Sequence, residues 1–277
     1  MQRTNTFNHL APRKSAGFSL VEILIALGIF AIGMAAIVSL FPAAAILQRE
    51  TTQEVISEMA AQSAASIIDT QALTYDPPGA GRTAADLNSY HSSAASTNSA
   101  AIPFNSISPA LMTARYPATD RSYPTALING TDISDCDLHW VPFIQDLSGD
   151  PDNPVWVARL FILEADSRAT YSGSAAQPAA DPDTFPRVAS VGIPNGGVSG
   201  NVFTTASAID LDPGDIVMDS NGNSHVIEAI SGTGITVLNS IAVTPNAPNT
   251  LWYAPKSGAS SSPAVRVVTV EVDVVAP

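Results

Sequence analysis

Glu22 stands in a run of apolar residues that opens behind the basic pair Arg13-Lys14 and the junction Gly17-Phe18. An ionised carboxylate in such a run costs a few kcal/mol on insertion scales and about 10 or more in some simulations. It calls for a cationic partner, or for a place at the interface from which it snorkels outward. The other carboxylates with suggestive spacing fall in loops. Asp146, Asp150 and Asp152, in DLSGDPDNP, form one open cluster, and Asp210, Asp212 and Asp215 form another. Asp219, Asn221 and Asn223 have the alternate spacing that opens a calcium loop, but Ser224 replaces its glycine and Ile230 its bidentate glutamate. Calcium is the one cofactor such loops would take, with Asp146, Asp150 and Asp152 as candidate ligands; solvated turns account for the same residues.

Other chemistry is thinly represented. His91, His139 and His225 are the histidines beyond the first seventeen residues, and they are scattered. No HxxxH, Cys/His cluster, GxSxG or glycine-rich phosphate loop is present. His139, beside Trp140, reads as a strand or turn residue, and Cys136, the single cysteine, as a small buried thiol. Asn129-Gly130-Thr131 fits a glycosylation triplet that coincidence explains. No catalytic residue is expected, and no enzyme. Net charge is −13, and the first seventeen residues carry Arg3, Arg13 and Lys14 without an acid. The remainder is more acidic still, which excludes the basic stripe that nucleic-acid binding needs.

The elements that would position Glu22 begin with Ile23–Leu47, 25 residues without a formal charge, long enough at about 1.5 Å per residue to cross a bilayer. Arg13 and Lys14 just before it place the N-terminus in the cytoplasm and the bulk of the chain across the membrane. Gly28 and Gly33, five apart, do not make a GxxxG face, but they ease close packing or local melting. Pro42 removes a helical hydrogen bond and is expected to weaken or kink the helix near Ser39–Leu40. From Ala43 the pattern turns amphipathic, with Ile46, Val55, Ile56, Met59, Ala60, Ile67 and Ile68 near helical spacing, until Asp76-Pro77-Pro78-Gly79 stops it. Strands are clearest at Leu138–Ile144, Val155–Glu164 and Ala264–Val275. Asn221-Gly222 marks a hairpin between Asp215–Ser220 and Asn223–Ile230. With Ile235–Leu238 and Leu251–Tyr253 this hairpin makes a compact β-module.

Gly17-Phe18-Ser19-Leu20-Val21-Glu22, followed by ILIALGIFAIG, resembles the class III signal of type IV pilins and type II secretion pseudopilins, over about Arg13 to Leu47. The IFAIGMAAI run is similar to minor, pilus-modification-type subunits. The resemblance implies cleavage after Gly17 by a prepilin peptidase on the cytoplasmic side and N-methylation of Phe18. It further implies a retained apolar helix that packs at the filament core, with Glu22 paired to the terminal ammonium of a neighbouring subunit. A broken buried pair costs about 3–5 kcal/mol while an intact one adds little, so such a pair sets register.

The expected fold class is α+β and pilin-like: a long N-terminal helix, transmembrane in its first half, packed on an antiparallel β-sheet with an additional small β-rich module. Residues 1–17 are read as leader, 18–47 as membrane and filament-core helix, and 48–76 as amphipathic extension. Residues 77–184 form the pilin-like globular part, 185–255 the β-rich module or insertion, and 256–277 a linker and the C-terminal strand. The expected function is a structural, minor subunit of a type IV pilus or a type II secretion pseudopilus. Its partners would be the peptidase/methylase, other subunits and an inner-membrane assembly platform. It would sit in a bacterial inner membrane with its C-terminus periplasmic, then in a periplasmic or surface filament. The rival reading is an uncleaved, membrane-anchored binding protein whose β-module holds a glycan, calcium or a protein partner.

Overall fold

The computed structural model describes residues 19–71, 73–74, 87, 90, 100–123, 138–148, 150, 152–164, 178, 181, 185–243, 247–255, 264–272 and 274–275. The Gly17-Phe18 junction, the Asp76–Gly79 stop, His91, Asn129–Thr131 and Cys136 lie outside these residues, as do most of the Ala/Ser/Asn-rich stretches. The chain divides into two compact units, Met1–Glu54 and Val55–Pro277.

Helix α1 runs from Leu20 to Thr70 and contains Pro42 without interruption. Its segment Leu20–Pro42 has a mean hydropathy of 2.7 and is nowhere buried. The hydroxyl of Ser39 donates to the Ala36 carbonyl at 2.8 Å, so this polar group is satisfied within the helix and adds little cost to an apolar environment. The helix ends at Thr70, short of the Asp76 stop expected from the sequence. Leu73–Thr74 instead forms β1, paired in parallel with β14, Val274–Val275, and Leu73 is fully buried. Tertiary burial of Leu73 overrides the helical pattern there.

In the second unit, α1 buries a stripe made of Ser57, Ala60, Ala61, Ala64 and Ile68. Val55 and Met59, expected on the apolar face, stand half exposed. The small side chains decide this phase, because alanine lets the helix axis approach the sheet closely.

That sheet comprises β2 (Ile102–Pro103), β3 (Ser122–Tyr123), β4 (Leu138–Asp146), β5 (Trp156–Glu164) and β13 (Ala264–Glu271). Its order is β13-β5-β4-β2, with β3 also on β4, and all pairings are antiparallel. Between β2 and β3 lie two short helices, α2 (Phe104–Ile107) and α3 (Pro109–Arg115). On one face Trp140, Ile144, Leu160 and Ile162 pack with Ala60, Ala64 and Ile68 of α1. On the other, Val141, Phe143, Phe161 and Leu163 pack with Phe185, Val188, Met218 and Ala254. Burial of both faces explains why β4 and β5 are apolar almost throughout, whereas β13 exposes Thr269 and Glu271.

The second sheet is drawn from the chain between the paired strands β5 and β13. It contains β6 (Ala189–Gly192), β7 (Val198–Ser199), β8 (Val202–Thr204), β9 (Ile216–Asp219), β10 (Ser224–Ser231), β11 (Gly234–Val237) and β12 (Thr250–Tyr253). Its order is β6-β12-β9-β10-β11-β8-β7, around a core that includes Phe203, Val217, Ile235, Val237 and Leu251. The β9–β10 turn carries Gly222 at φ +81, and a Cβ there would stand 2.7 Å from Gln145 Oε1 and 2.8 Å from Arg159 Nε. Only glycine meets both demands. Through this turn the second sheet seats on the first, with Gln145 Nε2 donating to the Asn221 carbonyl at 3.0 Å. The architecture as a whole is α+β, an N-terminal apolar helix followed by antiparallel sheets, in keeping with a pilin-like fold.

Candidate functional site

Ser19 and Glu22 meet at the start of α1. The Ser19 backbone N–H donates to Glu22 Oε2 at 2.9 Å, and the Glu22 N–H donates to Ser19 Oγ at 3.2 Å. This is a reciprocal capping box, which satisfies two of the amide donors that a helix start leaves orphaned. The carboxylate also lies in the first turn, where the helix dipole favours negative charge. Glu22 Oε1 has no hydrogen-bond partner among the described residues. Ser19 was not among the expected site residues, although Ser-x-x-Glu before an apolar run is legible without a structure. Downstream, Leu20, Ile23, Leu24, Leu27, Phe30 and their neighbours up to Phe41 are exposed, so every side of the helix offers apolar surface.

The loop carboxylates are engaged locally. Asp146 is buried at the end of β4, and its Oδ1 accepts from Ser148 N at 2.9 Å, Ser148 Oγ at 2.7 Å and Val155 N at 2.8 Å. Asp150 and Asp152 are exposed, and Asp150 Oδ1 accepts from the Asp152 N–H at 3.0 Å. Asp219 is buried in the β9–β10 turn; Oδ1 takes the amides of Asn221 and Asn223, each at 2.9 Å. Its Oδ2 takes Asn223 Nδ2 at 3.2 Å and His225 Nε2 at 3.0 Å. Among the described residues no group of three or more His, Cys, Asp or Glu side chains is placed to hold a metal ion.

A further polar knot lies beneath β3 and β4. Arg121 is fully buried; Nε donates to the Tyr116 carbonyl at 2.7 Å, Nη2 meets Asp181 Oδ1 at 2.5 Å, and the guanidinium sits 4.4 Å from the Phe185 ring centre. Burial pulls the Arg121 guanidinium down and pushes the Asp181 carboxyl up, while the pair's attraction opposes both shifts. Next to it Ser122 Oγ lies 2.9 Å from His139 Nδ1, the kind of contact that activates a nucleophile. Here both side chains are buried, and the Ser122 hydroxyl donates to the Ala118 carbonyl at 2.7 Å, so it accepts from the imidazole rather than yielding it a proton. The arrangement ties chain segments together and offers a substrate no nucleophile.

The comparison that decides the reading falls on the other end of the chain. Residues 12–38 match the model of the prokaryotic N-terminal methylation motif. This motif is the signature of type IV pilins and pseudopilins. It spans Gly17, Phe18, Ser19, Glu22, Gly28 and Gly33, and it ends before Pro42. No curated protein and no solved structure matches the chain. The methylation motif and the apolar helix together support a membrane-anchored subunit of pilin or pseudopilin type, of a kind that prepilin peptidase processes and that assembles with other pilin subunits.

Proposed function

We propose that this chain is a minor structural subunit of a type IV pilus or type II secretion pseudopilus. It is cut after Gly17, methylated on Phe18 and assembled by packing its apolar helix against those of other subunits. The observation that carries the reading is the methylation motif at 12–38, leading straight into a membrane-length helix with no buried surface. Such a surface needs lipid before assembly and other helices after it. The capping box refines the role of Glu22. Oε2 is spent on the subunit's own helix start, while Oε1 is left for the terminal ammonium of a neighbour, so the two roles are compatible. The size of the second sheet favours a minor over a major subunit, because bulky additions fit poorly in a repeated lattice.

The test is intact mass and N-terminal peptide mapping of membrane-extracted protein from its own host, with and without the leader peptidase. The expected result is a mature start at N-methyl Phe18 that disappears without the peptidase. A Met1 or Gln2 start in both strains overturns it and leaves an uncleaved anchor carrying a binding module.

A further inference from the structure

A cleft of about 210 Å³ lies at the seam between the two sheets. The first sheet contributes Ala101 and Ile102, at the start of edge strand β2; the second contributes Ser220, Asn249, Thr250 and Trp252. The wall is held by the backbone: Ala101 N–H donates to the Ser220 carbonyl at 2.7 Å, and Ser220 N–H to the Thr250 carbonyl at 2.9 Å. Trp252 is fixed edge-on against Phe143, with ring centres 5.0 Å apart.

The polar side chains are oriented as well. Asn249 N–H donates to Ser220 Oγ at 3.1 Å, which leaves the Ser220 hydroxyl proton to donate elsewhere. Thr250 Oγ1 donates to Asn249 Oδ1 at 3.0 Å; this fixes the amide's orientation and leaves its Nδ2 donors without a partner among the described residues. Thr250 Oγ1 keeps its lone pairs. The cleft therefore presents amide and hydroxyl donors, a hydroxyl acceptor, an indole and a few methyl groups.

None of the residues lining the cleft is ionisable. A phosphate, carboxylate, ammonium or metal ion would be desolvated there without a counter-charge, which is costly. What suits the cleft is a small neutral molecule with alternating donors and acceptors around its rim and an apolar C–H face for the indole. We propose that this seam cleft is a subsite for a single neutral sugar ring, a hexose or N-acetylhexosamine unit of a surface glycan. The site is independent of whether the leader is processed.

Tryptophan fluorescence reads this site selectively. The chain has three tryptophans; Trp140 and Trp156 are buried, and only Trp252 is partly exposed. Full-length protein, in a detergent that carries no sugar, is titrated with D-glucose, D-galactose, N-acetyl-D-glucosamine and, as a contrast, adenosine. At least one of the sugars is expected to give a saturable shift with half-saturation in the millimolar range. Asn249→Ala, an exposed substitution, is expected to weaken that half-saturation about fivefold, the worth of one hydrogen bond, with unchanged thermal melting. No saturable shift with any of the three sugars overturns the proposal, as does an Asn249→Ala titration identical to wild type. Saturation by adenosine alone would make the cleft a nucleobase site and overturn it too.

Discussion

Between Leu20 and Pro42, α1 is apolar on every side and none of it is buried; between Val55 and Thr70 the same helix buries one stripe against the five-stranded sheet. The two stretches share a secondary structure and differ in what their side chains face. The second has its packing partner within its own chain: Glu58 pairs with Arg266 of β13 at 2.6 Å, and the flank with Gln62 and Asp69 is left for water. Among the described residues the first is nowhere buried, and an apolar surface of this extent must be covered from outside, by lipid or by other copies. Folding and assembly are thus divided along one helix. Substitutions in the second stretch should be read out as stability, and those in the first as assembly.

The largest effect that would break this division is at Glu22. Glu22→Leu is expected to lower the filament fraction recovered by shearing about 100-fold or more, since an unpaired buried ammonium costs about 3–5 kcal/mol. The thermal midpoint of the globular part should not move. Normal filament yield would remove Glu22 from assembly. Next comes a matched pair: Ile68→Ala should destabilise the fold by about 2–5 kcal/mol, seen as a lowered melting temperature, because Ile68 is fully buried against the sheet. Ile32→Ala, at a position 74% exposed, should leave melting unchanged. Equal losses at both positions would show that the first stretch is also part of the folded core.

A third, smaller effect comes from Tyr90, which shares the core under α1. It donates to the Ala100 carbonyl at 2.8 Å, accepts from Asp146 N–H at 3.1 Å and packs edge-on to Trp156. Desolvation on burial pushes its phenol from 10.0 up to about 12, partly offset by the Asp146 backbone hydrogen bond. The fold prefers the protonated phenol, so this contribution is fully present below about pH 10 and is lost as pH rises through about 12. The loss is on the order of 2–3 kcal/mol. Burial also raises the Tyr253 phenol, so ultraviolet titration should show late tyrosine ionisation to which Tyr90 contributes, and Tyr90→Phe should diminish it. The smallest effect is at the helix start: Ser19→Ala removes half of the capping box and should cost about 1 kcal/mol locally. The measurement is amide exchange at Glu22, expected to quicken about fivefold while exchange at Ile68 stays the same.

Strong local patterns could be read from the chain itself. The apolar run, the alternation of Val268, Val270, Val272 and Val274 with Thr269, Glu271 and Asp273, the apolar β4 and β5 and the Asn221-Gly222 turn all announce themselves within a few residues. Ser19 also had a readable signal, its spacing to Glu22. The strands Ala189–Gly192, Val198–Ser199 and Val202–Thr204 did not, nor did the helices Phe104–Ile107 and Pro109–Arg115. Each is two to seven residues long, so periodicity within it carries little information; Ala189–Gly192 and Val202–Thr204 pair with strands distant in sequence, whereas Val198–Ser199 pairs with Val202–Thr204 across Gly200-Asn201. Val55 and Met59 misled for a related reason. Their hydrophobicity ranked them above Ala61 and Ala64, whereas close approach to a sheet selects the smaller side chains.

By itself, then, the sequence determined what depends on neighbours along the chain: a membrane-length helix, the methylation motif at 12–38, a capped helix start and a glycine-dependent turn. Tertiary structure alone decided that β5 and β13 pair across a whole second sheet, that β4 and β5 are covered on both faces, and that Asn249, Ser220 and Ala101 meet at one seam. Those arrangements rest on contacts between residues far apart in the chain, and side-chain spacing along a strand or helix specifies which face is apolar without specifying what will cover it.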